Sequence, residues 1–421
     1  MHHTHQRNNT PHQYHHGVND MSKTINSSKQ LPIEIGILEI QRHIPVLYSF
    51  CRVCKTKNTN VTIFTTKELF LRLETHLKNK QDYDIVLKRR NESIRAFLKR
   101  VEHICNQKID LLFINTIHET ILDLPHYLSF DPKSKMILTV HHVNAWLKPR
   151  LVFNIKHIIR TIDTNFSSIL IKKFIFPKFD AIDVIYRPLR DYIQTNTDFE
   201  KKVFTIPTSI FENHITEGRT RKNEELVIVI PGLIQEHRKD FTVIFPTFEK
   251  LFEQYNGKIR LYVLGFPVER FGRLVYKKFK SMKQKGCDVV IFDQFIPDDT
   301  FNNILKQSDI ILAPIRIKTR ADREIEEIYG KTVGSGVIYN AIMYAKPIIV
   351  PSEFNMLEEL NSSTLKYASS TELENTIAEL ISNHKKLEQL KIEALFNAEK
   401  FSLERLQKYF EQNVLRWLEK N

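Results

Sequence analysis

Two doubly wound α/β domains in tandem, facing each other across a cleft, are the architecture this sequence predicts. Three observations predict it. Short apolar runs alternate with amphipathic helical stretches from residue 33 onward, a rhythm that builds parallel sheets covered on both faces. A polar stretch, NHITEGRTRKNEE at 213–225, interrupts that rhythm, which then starts again. The chain ends in FSLERLQKYFEQNVLRWLEKN (401–421), where Leu403, Leu406, Phe410, Val414 and Trp417 recur at helical spacing, so one apolar face must pack against something.

The elements follow in order. IEIGILEI (33–40) reads as a buried strand before a helix near 44–56, and NVTIFTT (60–66) as the next strand before helix 67–78. YDIVL (83–87), IDLLFINT (109–116), KMILTVHH (135–142) and FDAIDVIY (179–186) continue the first series. The second runs through LVIVIPG (226–232), helix 240–255, KIRLYVLG (258–265), helix 269–285, DVVIFDQ (288–294), helix 298–307 and DIILAPI (309–315). GKTVGSGVIYNAIMYAKPIIVPS (330–352) adds a glycine-studded turn, an apolar helix and a short strand, and the chain from 369 is helical. Residues 1–31 fall outside the fold as a disordered His-rich tail: residues 1–16 hold six of the seventeen histidines without a scaffold to fix them. Met21 offers an alternative start. The first domain is expected over 32–210 and the second over 211–400.

Composition narrows the function classes. With 42% hydrophobic and 26% charged residues the chain is globular, and 421 residues suffice for two cores. No apolar run reaches the length of a bilayer-spanning helix, and the N-terminus lacks the pattern of a secretory signal. Four scattered cysteines give no disulfide framework, so a reducing, cytoplasmic location is expected. A net charge of +13 points to anionic partners: nucleotides, phosphates or a lipid surface. Nucleic acid is not expected, because the basic residues are spread over many helices and form no compact recognition module.

Three places could carry chemistry. Gly330, Gly334 and Gly336 precede an apolar helix, and Thr332, Ser335 and the amides of 334–336 could hold an anionic oxygen at its start. Close helix–sheet packing is the alternative use of those glycines. PGLIQEHRKDF (231–241) places Gly232, Arg238 and Lys239 beyond a strand's carboxyl end, where a cation suits a diphosphate. LTVHHVNAW (138–146) puts His141 and His142 at another strand end, where an imidazole can orient a hydroxyl or share a proton. Other signals are weaker. Cys51 and Cys54 lack a second ligand pair for zinc, and Asp82 and Asp84 precede their apolar run, at the wrong end of the strand. The segment 153–179 mixes aliphatic and basic residues. It is expected to be a core-facing helix with a solvated basic side; the other reading is a helix lying on an anionic membrane.

VIVIPGLIQEHRKDF, IFDQFIPDDTFNNILKQSDIILAPI and YNAIMYAKPIIVPSEFNMLEEL together resemble the C-terminal half of a GT-B glycosyltransferase, nearest to the retaining enzymes of glycosyltransferase family 4. The resemblance covers most of 226–360, with a looser match over 33–205. It implies a nucleotide diphosphosugar held mainly by the second domain and a saccharide or lipid-linked acceptor held by the first. It implies a C-terminal helix, 401–421, crossing back onto the first domain. Lys239 takes the place of a basic residue on the donor diphosphate, with Arg238 beside it. Gly334 to Gly336 offer amides to the same phosphates, Phe295 and Ile296 border the base, and His141 lies near the transferred sugar. Catalysis without a metal or other cofactor is implied, since amides and cations stabilise the leaving diphosphate. Family members carry two glutamates eight residues apart around this turn; aligned on AIMYAKP, Thr332 and Asn340 take those places, with Glu324, Glu326 and Glu327 upstream. Leu233 stands where an arginine is expected, and the first strand ends in LEIQRHIP instead of a glycine-rich loop. The expectation is a cytoplasmic hexosyltransferase of polysaccharide or glycolipid synthesis, peripheral on the inner face of the membrane. A non-catalytic scaffold and a sugar-nucleotide epimerase are the alternatives.

Overall fold

The computed structural model describes residues 31–212 and 225–420, apart from 42, 78, 118–119 and 321–323. The His-rich tail (1–30) and nearly all of the polar stretch at 213–225 lie outside the described residues. Two parallel-sheet α/β domains make up the fold.

The first sheet has seven strands: β1 (Ile33–Glu39), β2 (Thr59–Thr65), β3 (Tyr83–Leu87), β4 (Leu111–Ile114), β5 (Lys135–Thr139), β6 (Ala181–Val184) and β7 (Lys202–Thr205). Their order is β3-β2-β1-β4-β5-β6-β7, all parallel. The chain winds outward from β1 in one direction and then returns to add β4 on the other side, so the topological switch point lies between β1 and β4. The second sheet consists of β8 (Leu226–Pro231), β9 (Ile259–Leu264), β10 (Val289–Ile291), β11 (Ile310–Leu312), β14 (Ile348–Pro351) and β15 (Thr364–Tyr367). Its order, β10-β9-β8-β11-β14-β15, puts the switch between β8 and β11. A small antiparallel hairpin, β12 (Lys318–Thr319) with β13 (Glu327–Ile328), stands apart from both sheets. This hairpin and the edge strand β15 are not among the elements read from sequence. Two-residue strands and the mixed TLKY of β15 carry no period to read.

One apolar cluster runs without a break from the first domain (Leu38, Ile114, Val184) into the second (Ile311, Ile338, Leu357). Behind the second sheet, Ile228, Phe248, Phe279 and Leu380 fill a separate core. The closing segment does cross back. Phe211 and Ser402 pair side by side, and the Phe211 amide donates to Phe401 O at 3.0 Å. The helical stretch beyond then buries Leu406, Phe410 and Val414 against Ile35, Phe50 and Phe113 of the first domain. Gln407 Nε2 caps the Arg52 carbonyl at 3.1 Å, and Trp417 meets Phe204 edge-on at 5.4 Å.

The segment 153–179 corrects its expectation. Its helix, Ile158–Leu170, turns Thr161, Thr164, Ser167 and Ser168 toward the protein and leaves Ile159, Ile162 and Phe166 exposed. Small hydroxylated side chains allow close approach to the wall beneath, where bulky isoleucines would not fit. The apolar side faces out.

Candidate functional site

Both switch points open at the carboxyl ends of their strands, where side chains of the sheet ends and the connecting loops converge. In the first domain the ends of β1, β4 and β5 bring together Glu39, Thr116 and His141. Glu39 is fully buried; its Oε2 accepts from Thr116 Oγ1 at 2.9 Å, and its Oε1 accepts from the Gln41 amide at 2.6 Å. His141 Nε2 lies 2.8 Å from Asn115 O and 3.2 Å from Thr116 Oγ1. A carbonyl only accepts, so Nε2 carries the hydrogen. Thr116 donates in turn to Glu39, so imidazole, hydroxyl and carboxylate form one hydrogen-bonded row. His43 stacks on His141 at 4.4 Å with an interplanar angle of 12°. Trp146 closes the other side edge-on at 6.5 Å. Both histidines are partly exposed.

In the second domain the loop after β8 begins at Gly232, whose φ of +91° suits glycine. Lys239 is buried beneath that loop. Its ammonium donates to Pro231 O at 2.6 Å, to Gly232 O, and to Leu233 O at 3.1 Å. Burial, together with the neighbouring Arg238 charge, pushes the lysine pKa down to about 7, while the three carbonyls oppose this by favouring the ammonium. The lysine fixes the loop, and Gly232 and Leu233 are left exposed above it. Arg238 and Arg316 are tied together by the Arg316 amide donating to Arg238 O at 3.1 Å. The buried Nε of Arg316 has no hydrogen-bond partner among the described residues. Beside the loop, Ile234 pairs with Pro267, and Phe266 meets the 65% exposed Phe295 at 6.4 Å. Ile296, the other residue expected at the base, has its side chain in the core.

The glycine turn serves two purposes. A Cβ on Gly334 would lie 2.2 Å from Ile185 Cδ1 of the first domain, so this glycine lets the domains touch. Gly336 is exposed at the first position of helix Gly336–Met343, and a Cβ there would meet nothing within 4 Å. The Gly336 amide at that helix start can face an anion. Ser335 caps the helix through the Val337 amide at 3.4 Å, and Asn340 sits half-buried within it. Thr332 is fully buried, and its Oγ1 accepts from the Ile328 amide at 2.7 Å.

The two halves meet beside this turn. His142 pairs with Val333, and the Val143 amide donates to Thr332 O at 2.9 Å. Glu327, buried on β13, reaches across to the first domain and accepts from the amides of Ala145 at 2.8 Å and Asn144 at 3.2 Å. Burial raises its pKa to about 7, against the pull of His142 and the Thr332 hydroxyl. Glu324 is engaged by Asn154 at 2.9 Å and Arg160 at 3.4 Å.

His141 thus lies at a strand end of the first domain, Gly232, Arg238 and Lys239 in the loop after β8, and Gly336 at a helix start beside the junction, whereas Thr332 and Ile296 turn inward. Glu39, His43, Thr116, Phe266 and Arg316 were missed by sequence reasoning. The strand-end rule that singles out His141 applies equally to Glu39 in LEIQRHIP; Arg316 follows DIILAPI in the same way. Cys51 and Cys54 are buried thiols whose pKa values burial raises, and no cluster of His, Cys, Asp and Glu among the described residues is arranged to hold a metal.

No family model matches the sequence, and no curated protein sequence does. Solved structures do match. The chain is similar to the N-terminal domain of trehalose-6-phosphate phosphatase from Candida albicans, with TM-score 0.59, 11% identity, and coverage of 92% of this chain and 97% of that one. Sucrose-phosphate synthase from Thermosynechococcus elongatus matches with TM-score 0.59 and 12% identity over 92% of this chain and 100% of that one. HepE of Anabaena, solved in complex with UDP and glucose, gives TM-score 0.58 and 13% identity over 91% and 100%. At such identities the likeness establishes the fold: the chain folds as two facing parallel-sheet domains of the GT-B type.

Proposed function

We propose that this chain is a glycosyltransferase that moves a sugar from a nucleotide diphosphosugar to an acceptor hydroxyl. The observation that carries the reading is the pairing of two clusters: a cationic, glycine-opened one (Gly232, Arg238 and Arg316, on a loop held from beneath by buried Lys239, with the Gly336 amide) and a carboxylate–hydroxyl–imidazole one (Glu39, Thr116, His141). The first suits a diphosphate leaving group. The second suits a neutral sugar with hydroxyls to orient.

In this reading the base lies against Phe295, and the cations and amides stabilise the departing diphosphate without a metal. His141, held by Thr116 and Glu39, orients a sugar hydroxyl beside the reacting carbon. The bond from that carbon to the diphosphate oxygen breaks as the bond to the acceptor oxygen forms on the same face. The acceptor proton passes to the leaving diphosphate, and the anomeric configuration is retained. The acceptor is a saccharide or a lipid-linked sugar.

A thermal-shift screen against UDP-, GDP-, ADP-, CMP- and dTDP-sugars tests the reading. A ligand at a hundred times its dissociation constant raises stability by about 2.7 kcal/mol, and Lys239→Met should abolish the shift. UDP-sugars come first, because HepE holds UDP and the similar UDP-GlcNAc 2-epimerase from Neisseria meningitidis (TM-score 0.53, 13% identity) was solved with UDP-GlcNAc. No shift with any of the five would sink the proposal. That epimerase also motivates a second reading, epimerisation of a sugar nucleotide, which turns over without an acceptor.

A further inference from the structure

The helix 158–170 is amphipathic the wrong way round for a soluble surface. Its inward face consists of Thr161, Thr164, Ser167 and Ser168; its outward face presents Ile158, Ile159, Ile162, Phe166 and Ile169, with Ile159 85% and Phe166 57% exposed. The face does not stop at the helix. Asn165 accepts from Val152 N at 3.0 Å and donates to Val152 O at 2.9 Å, which holds the exposed Leu151, Phe153 and Ile155 alongside. Asp163 accepts from the Ile121 amide at 2.8 Å, which places exposed Leu122 next to the helix. Of nineteen large hydrophobic side chains exposed among the described residues, nine fall within 151–174. Contiguous exposure of this kind marks an interaction surface.

The charge pattern selects the partner. Residues 148–178 contain seven lysines and arginines and a single acidic residue, Asp163, whose carboxylate is turned to the 121 backbone. Arg160, Lys172 and Lys178 pair with Glu324, Asp198 and Asp131 of other elements, so among the described side chains the excess positive charge rests on Lys148, Arg150 and Lys173. A second copy of the chain seated on this face would bring like charges together. Anionic headgroups complement the rim while acyl chains take up the isoleucines and phenylalanines. We infer that the face formed by 151–155 and helix 158–170 docks on the surface of an anionic lipid bilayer. The same segment reaches Glu324 through Asn154 and Arg160, so docking sets the mouth of the cleft beside the membrane. Delivery of an amphiphilic acceptor from the bilayer then follows, a consequence that rests on the transferase reading; docking itself does not.

The test is sedimentation of the full chain with vesicles of phosphatidylcholine alone and with phosphatidylglycerol added, without nucleotide, so its failure is distinct from failure of the donor screen. Binding is expected with the anionic vesicles and should weaken as salt is raised. Ile159→Ser/Phe166→Ser should reduce partitioning by about tenfold for each side chain, with an unchanged melting temperature because both residues are exposed. Phe166→Trp should shift to bluer emission on binding and be quenched by brominated lipid. Three results overturn the inference: no sedimentation with anionic vesicles, equal sedimentation of the double variant, or a lipid-free dimer in the ultracentrifuge that the double variant loses. Equal binding to both compositions refutes the role given to charge.

Discussion

Replacing Glu327 by glutamine tests how the two domains are joined, because this carboxyl leaves its own domain to accept the Ala145 and Asn144 amides. Burial holds its pKa at about 7, against an ordinary 4.5. At about 1.4 kcal/mol per pH unit, that gap is worth up to about 3 kcal/mol. The sign follows from proton counting. Between the two values the folded chain holds a proton that the unfolded chain has released, so stability falls as pH rises from about 4.5 to about 7 and is level above. Glu327→Gln keeps an acceptor for the amides and cannot ionise. Urea midpoints at a series of pH values, with m unchanged, measure the difference. The variant should gain on the wild type by up to about 3 kcal/mol between about pH 4.5 and pH 8. A difference that stays constant over the range refutes a buried carboxyl at the junction.

Three further substitutions probe other parts of the argument. A Cβ on Gly265 would lie 2.0 Å from Gly232 O, so Gly265→Ala should displace the loop over Lys239, abolish the nucleotide-dependent thermal shift and destabilise by about 3 kcal/mol. Phe410 is fully buried against the first-domain core; Phe410→Ala should cost about 3–5 kcal/mol in urea unfolding, and a surface-like loss below 1 kcal/mol would contradict the crossover packing. His141→Ala should leave the nucleotide shift intact while lowering kcat by about 10²-fold or more; equal turnover would remove His141 from the reaction.

Sequence reasoning found what has a period or a position. Both sheets were legible because runs such as IEIGILE and LVIVIP are continuous apolar stretches between amphipathic helices. The places of His141 and Lys239 were legible because His141 follows such a run directly and Lys239 lies in the loop after one. The hairpin carrying Glu327 was not, since its partner residues pair across a loop and only the fold brings them to Asn144. Glu39 also closes a strand, but a carboxylate at the end of a buried run breaks the apolar pattern and so hides its position. The outward apolar face of helix 158–170 could not be decided from periodicity, which gives an amphipathic stripe but not the side on which the protein lies. In that helix the serines and threonines, not the isoleucines, mark the inner face.

The presence of Thr332 has a physical reason that can be turned into a test. The proposed transferase function invites a glutamate at this place, as if catalysis needed a carboxylate there. The structure argues the opposite outcome. Thr332 is fully buried, its hydroxyl bonds the Ile328 amide, and it also touches the Glu327 carboxyl. Its carbonyl accepts the Val143 amide from the other domain. A longer acidic side chain at this place would put a second carboxyl beside a first whose charge burial already disfavours. Even with His142 nearby, a second buried carboxylate here would cost on the order of an unpaired buried charge, about 3–5 kcal/mol. Thr332→Glu should therefore lower the urea midpoint more above neutral pH than below, and should confer no turnover. Thr332→Ser, which keeps the hydroxyl, should stay close to the wild type. If Thr332→Glu is stable and its turnover rises, the threonine lines the donor site after all, and the junction drawn through Glu327 is wrong.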